Sequence, residues 1–383
     1  MKKLIASTIL AITALTATGQ EKTKINGLHL SLKLEAQQTI QKGNKYLLGK
    51  QHADGYWGDP NLPAFTAYAL RCLLLDPAYD TKSTPPVPVQ KGLDWLVSQQ
   101  KADGGIYGKG MATYCTSSAV MALWVADPQK YKAQLIKARG FLINQQTDWG
   151  IKGADDTEFD GGIGYGGTYA HSDLSNTHLA IEALYNTRAL ATDTGDKKVQ
   201  ELDWEAALAF VSRCQNLQKT NKGEKVGNDG SFIYFPGNSK AGEAVDSKTG
   251  RVALRGYGSM SYAGLLSLVY SDLDAADPRV EAVTKWIDDN YTLTENPGLG
   301  GQGLFYYYHI MAKSLVAANI PELQSKDGLK IDWRSDLAAK IINSHREDGS
   351  WLNTEASRWM ENDPILVTSY AVMTLQQIHS SLN

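Results

Sequence analysis

A glycine-plus-aromatic turn recurs at a fixed distance behind a glutamine, and this repeat limits the fold more than any other feature. HADGYWGD at 52–59 returns as KADGGIYG at 101–108 and as REDGSWLN at 346–353. With Lys42 as origin, Tyr46, Leu47, Gln51, Gly55 and Trp57 follow. Lys91 is followed at the same offsets by Trp95, Leu96, Gln100 and Gly104, with Tyr107 one place late. Lys137 leads to Phe141, Leu142, Gln146 and Gly150. Ala206 leads to Phe210, Val211 and Gln215, with the turn delayed to Gly230-Ser231-Phe232. Asp336 leads to Lys340, Ile341, His345 in the glutamine slot, Gly349 and Trp351. A worn sixth copy runs from Ala282 through Trp286 and Ile287 toward Gly300 and Gly301. Such regularity marks one supersecondary unit used many times.

Behind each turn lies a more apolar segment: FTAYALRCLLL, TSSAVMALWV, SNTHLAIEAL, SYAGLLSLVY, YYYHIMAKSLVAA and VTSYAVMTLQQI. Their Ala, Leu and Met favour helix, and their apolar positions spread widely round it, as in a buried helix. The segments before the turns, such as KGLDWLVSQQ and AAKIINSH, are amphipathic. Each repeat therefore reads as an outer helix, a glycine turn and an inner helix, with an apolar face that only a neighbour can cover. The expected class is all-α, an α6–α6 barrel (toroid) of six helical hairpins, with an open solenoid as the alternative. Glycine supplies the positive φ that ends a helix, and the glutamine is placed to bond backbone groups exposed at neighbouring helix ends.

The ends and the composition set further bounds. Lys2, Lys3, the apolar run Leu4 to Ala17 and Ala17-Thr18-Gly19 read as a signal peptide over 1–19, predicting a secreted or periplasmic protein. A short segment 20–35 precedes one barrel domain over 36–383. No later run of 18 apolar residues predicts a membrane span. The formal charge of −3 argues against nucleic acid as a partner. Cys72, Cys115 and Cys214 sit inside apparent helices and read as small core residues. The polar stretch 219–255 interrupts repeat four; SFIYFPG within it is a strand candidate, and the whole is either a lid or a surface decoration.

The string K-G-x2-Y-L-x3-Q-x3-G-x-W at Lys42 to Trp57 resembles the QW repeat of the squalene and oxidosqualene cyclases, and the related repeats of protein prenyltransferase β subunits. The resemblance runs from about Ala36 to Leu375. It implies an α6–α6 barrel around an apolar, aromatic-lined cavity that suits isoprenoids. Class II cyclases carry D-x-D-D-T at the start of an inner helix, and its middle Asp protonates an alkene or epoxide. With the inner helices aligned on Leu70, Leu123, Leu184, Leu268, Leu315 and Leu375, the matching string is Asp173-Leu174-Ser175-Asn176-Thr177. Ser175 stands at the acid's position, and serine cannot supply a strong carboxylic acid. Asp173 and Ser175 also read as caps of the helix that follows. The prenyltransferase branch implies zinc on Asp, Cys and His. Gly258-Ser259-Met260-Ser261-Tyr262 offers neither Asp nor Cys at the corresponding helix start, so no metal and no cofactor are expected.

Residues at the inner-helix starts face one end of the barrel and form the candidate site. For ligand binding these are His171, Asp173, Asn176, Arg255, Tyr257, Tyr262, Tyr308 and His309; for catalysis, Asp173, His309 and Asp363. Helical spacing lets Phe305, Tyr308 and His309 share one face while Tyr306 and Tyr307 turn elsewhere. The cluster Asp155, Asp156, Glu158 and Asp160 is either a calcium loop or a solvated turn. The expected partner is a small apolar or amphipathic ligand. Three functions follow: a lipid- or isoprenoid-transforming barrel, a noncatalytic binding or scaffold protein, or a carbohydrate-active α/α barrel, which needs paired carboxylates.

Overall fold

The computed structural model describes residues 29–80, 84–149, 157–166, 171–192, 201–245 and 250–382. The expected signal segment, Gly150, Asp155 and Asp156 lie outside the described residues. The protein is mostly helical. Helix α1 runs through residues 29–49 and pairs with α2 (Pro63–Leu74). The next hairpins are α3 (Val87–Ser98) with α4 (Ala112–Ala126), and α5 (Lys132–Ile143) with α6 (Leu174–Asn186). After the short α7 (Ala189–Thr192), α8 (Trp204–Arg213) pairs with α9 (Gly258–Tyr270). The last two hairpins are α10 (Pro278–Asn290) with α11 (Leu304–Ala317), and α12 (Trp333–Asn343) with α13 (Pro364–Ser381). No helix among the described residues is long and apolar enough to cross a membrane.

Burial separates the two helix sets. Every residue of α2 is buried, whereas α3 buries only Val89, Gly92, Leu93 and Leu96, a single stripe at helical spacing. The more buried set touches in sequence: α2 with α4, α4 with α6, α6 with α9, α9 with α11 and α11 with α13. Helix α13 then returns to α2, so the contacts run in a cycle. At that junction Gln376 Nε2 donates to the Cys72 carbonyl at 2.7 Å, and the Cys72 thiol faces Ser369 O at 3.4 Å. All three cysteines are buried and free.

The repeat residues are the fastenings between hairpins. Gln51 Nε2 donates to Gly55 O within its own turn and to Pro88 O of the next outer helix, both at 2.8 Å. Gln100, Gln146 and Gln215 each make the same pair of bonds, to Gln134, Asp203 and Arg279 of the next repeat. The turn glycines lie flat on that next helix. At Gly55, φ is +103° and a Cβ would sit 2.7 Å from Lys91 O; at Gly349, φ is +84° and a Cβ would sit 2.8 Å from Lys42 O. The last repeat therefore packs on the first just as the first packs on the second. A hydroxyl near the start of five of the six inner helices takes the N–H of a turn residue: Thr66 from Trp57, Thr116 from Ile106, Thr177 from Ile163, Ser261 from Phe232 and Thr368 from Trp351.

These bonds correct three details of the sequence reading. The third turn glycine is Gly161, whose carbonyl accepts from Gln146, so the turn is delayed past Gly150. Thr66 fills the hydroxyl slot of the first inner helix, which puts Leu73, rather than Leu70, in register with Leu184. SFIYFPG makes isolated bridges at Phe232 and Phe235 instead of a strand. The strands of that insertion are β1 (Glu243–Val245) and β2 (Val252–Leu254), paired antiparallel. A second small ladder joins β3 (Leu323–Gln324) and β4 (Lys330–Ile331).

Candidate functional site

On three inner helices the residue two places before the hydroxyl slot borders one cavity. Tyr114, Ser175 and Ser259 hold this place on α4, α6 and α9, and Tyr306 joins them from α11. Together they border a cavity of about 100 Å³. Tyr165, Tyr234, Tyr257 and Tyr370 complete an aromatic wall, with Met111, Met260 and Met360 between them. Trp359 lies at the rim, 39% exposed. Flat apolar rings with hydroxyl tips suit a ligand that is greasy along most of its length and polar at one end. We call this the upper cavity.

Backbone strain concentrates here. Among the described residues, five that are not glycine have positive φ, and three of them line this cavity: Met111 (49°), Trp359 (57°) and Met360 (66°). Each such residue costs roughly 1–3 kcal/mol. At Gly303, the N-cap of α11, a Cβ would meet the Trp359 ring at 3.0 Å, so the rim segment lies directly on the helix start.

Two carboxyl groups lie at or beside this cavity, and both act as hydrogen-bond acceptors. Glu361, part of the wall, accepts Tyr306 N–H at 2.8 Å, Phe305 N–H at 3.3 Å and Asn353 Nδ2 at 2.6 Å, and so caps α11. Burial pushes its carboxyl above the ordinary value, against those donors. Asp173 is the N-cap of α6, taking Asn176 N–H at 2.8 Å and Asn176 Nδ2 at 2.9 Å. Full burial pushes it up to about 6, again opposed by Asn176.

One to two helical turns further along the same helices the interior changes character. Tyr68, Ser117, His178 and His309 surround a cavity of about 10 Å³, with Arg71, Glu182 and Lys313 on the next turn. Lys313 Nζ donates to Glu182 Oε2 at 2.7 Å, with both side chains buried. Although burial raises the Glu182 carboxyl, Lys313 and Arg71 together bring it below its ordinary value. His178 Nδ1 lies 3.2 Å from Leu174 O, which can only accept, so that nitrogen carries the proton. Its Nε2 then accepts the Tyr306 hydroxyl at 3.2 Å. Burial and Lys313 push this imidazole down to about 4, so it is neutral at ordinary pH. Tyr306 borders both cavities.

No protein-family profile matches the chain, and no curated protein does. Solved structures do match. The apo type II terpene cyclase MstE from Scytonema aligns at 12% identity and a TM-score of 0.51, over 91% of this chain and 99% of that one. Two of its variants align at 12% identity and a TM-score of 0.50, over 92% of this chain and 99% of theirs. One is bound to merosterolic acid A as product and the other to geranylgeranyl dihydroxybenzoate as substrate. The fold is terpene-cyclase-like. At this identity the likeness concerns the fold alone.

Within this terpene-cyclase-like fold the expected site residues separate. Tyr257 lines the upper cavity, and so does Ser175, the residue at the resemblance's acid position. His309 lines the lower one, its ring stacked 5.7 Å from Tyr370. Asp173 and Asn176 are buried together at the start of α6 and border neither cavity. His171 packs on Phe235 at 4.6 Å, outside the cavity walls. Tyr262 faces Tyr307 behind α9, and Tyr308 donates to Leu293 O at 2.6 Å. Arg255 is exposed. Asp363 caps α13 through Ile365 and Leu366 N–H, and no hydrogen bond or ion pair joins it to His309. Asp160 accepts Trp149 N–H, Thr157 N–H and the Thr157 hydroxyl, so its carboxylate is used to close its own loop.

The inward face of α11 is the main correction: it carries Tyr306, His309, Ile310 and Lys313, while Phe305 and Tyr308 face away. Helical spacing permits either face. Glu361 at the helix start and the Lys313–Glu182 pair decide between them. Sequence reasoning also missed Arg71, Glu182 and Lys313. The signal was present, because each is the only charged residue of its apolar inner segment.

Proposed function

We propose that this chain is an exported α/α toroid of six helical hairpins that binds an isoprenoid, or a similarly greasy amphipathic ligand, in the upper cavity without acid-initiated cyclisation. The observation that carries this reading is the tyrosine-walled cavity with Ser175 at the acid's position. The cyclic helix contacts support the toroid, and the N-terminal apolar leader supports export. Burying a prenyl chain against these rings yields about 25 cal/mol per Å² of apolar surface. Alkene protonation asks for a free carboxylic acid aimed at the reacting carbon. Asp173 and Glu361 instead accept from backbone N–H groups at helix starts and so cap those helices. A glycosidase would need two carboxyl groups flanking one bond, and Glu361 is the only carboxylate of the described wall.

The test uses the mature protein with geranylgeraniol, squalene and a panel of oligosaccharides, followed by calorimetry and by mass spectrometry of the recovered ligand. The expected result is saturable binding of the prenyl alcohol, returned unchanged. A cyclised product, or binding confined to glycans, refutes the proposal. N-terminal sequencing of the exported chain checks cleavage near Gly19.

A further inference from the structure

The lower cavity gathers unpartnered polar atoms around a buried cationic donor. Arg71 is 5% exposed, yet its Nε has no hydrogen-bond partner. Ser117 and His309, 1% and 4% exposed, border the same cavity, and Ser117 Oγ and His309 Nδ1 are also unpartnered. Charge is unbalanced in the same direction. Arg71 and Lys313 face the single carboxylate Glu182, whose Oε2 is engaged by Lys313. Burial drives His178 and His309 toward their neutral forms, so neither supplies an anion nor adds a cation. Burial, and then the positive charge of Arg71, lowers Lys313 against the pull of Glu182. A buried guanidinium without a counter-charge is strongly unfavourable, and a water molecule would satisfy its N–H groups while leaving the charge.

We propose that the lower cavity is a binding site for a monatomic anion of the halide class, held by the Arg71 guanidinium with the Ser117 hydroxyl as a second donor. A volume of about 10 Å³ accommodates roughly one water-sized particle. That size admits chloride or bromide and excludes sulfate, phosphate or a whole carboxylate. The ion completes the charge balance of the helix interior and fixes Arg71 against the Glu182–Lys313 pair. The site stands on its own chemistry and does not depend on what the upper cavity holds.

Crystals of the mature protein soaked in bromide should show an anomalous peak at the bromine edge within hydrogen-bond reach of Arg71. In solution, replacing chloride with gluconate at constant ionic strength should lower the melting temperature, and bromide should restore it. Arg71→Gln should weaken halide binding by about tenfold or more, the loss of one charge-assisted contact. Ser117→Ala is the milder variant, expected to fold and to show a smaller loss of halide dependence. A cavity without anomalous signal, together with a wild-type melting temperature indifferent to halide, overturns the proposal. So does an unchanged halide response in Ser117→Ala and Arg71→Gln alike. A loss of prenyl-alcohol binding with the halide response intact would count against the lipid reading alone.

Discussion

The two cavities share α4, α6 and α11 and lie one to two turns apart, yet their chemistry is opposite. The upper one is walled by tyrosines and methionines, has an exposed tryptophan at its rim and is bordered by left-handed backbone. The lower one is small and charged, and its ion pair is fully buried. The lower layer carries the buried Lys313–Glu182 pair that joins α11 to α6, and the upper layer carries the left-handed backbone. Tyr306 borders both, and the ring contacts of His309 and Tyr68 with Tyr370 also join the two layers.

The comparison is tested most severely by breaking the lower layer. Glu182→Leu leaves Lys313 and Arg71 buried without a carboxylate and should cost about 3–5 kcal/mol in urea unfolding, while Glu182→Leu with Lys313→Met should recover most of it. Recovery that fails would mean that the pair also specifies the fold. Next, Asp173 and Glu182 should respond to pH in opposite senses. Asp173 has a folded pKa of about 6, above its unfolded value of 3.8, so its contribution to stability falls as pH rises from about 4 to about 6. That slope, worth roughly 1–3 kcal/mol, should vanish in Asp173→Asn. Glu182 is held below its ordinary 4.5, so its contribution is present above that pH and is lost as pH falls below it.

Smaller effects separate the layers further. Trp359→Gly removes a rim ring and relieves a left-handed residue, so prenyl-alcohol affinity should fall about tenfold while stability moves by less than about 1 kcal/mol. A large loss of stability there would show that the rim is part of the frame. Tyr306→Phe deletes the bond to His178 Nε2 and should cost about 1 kcal/mol. It should also shift the His178 ring resonances in NMR spectra.

Much of the fold was legible because the repeat residues contact backbone. Gln51, Gly55 and Thr66 serve hydrogen bonds and close approaches that any copy of the hairpin must make, so their spacing is constrained and visible in the sequence. The site was less legible because its residues are chosen by facing. Tyr306 and Tyr308 differ by two positions in a run of three tyrosines, and nothing local tells which of them turns inward. The delayed third turn at Gly161 was hidden for a related reason, since an insertion shifts the offset while the partner bonds of Gln146 stay the same.

By itself, then, the sequence determined a mostly helical chain of repeated hairpins, buried cysteines and a serine where the resemblance sets an acid. Those properties follow from local periodicity and from backbone bonds at fixed separations. Only the tertiary structure decided that Arg71, Glu182 and Lys313 meet, and that Glu361 caps α11 at a cavity wall. Partners 56 to 131 residues apart along the chain, such as Arg358 with Gln302 or Lys313 with Glu182, are joined when the helices come round on one another, because charge recognises distance in space and ignores distance in sequence.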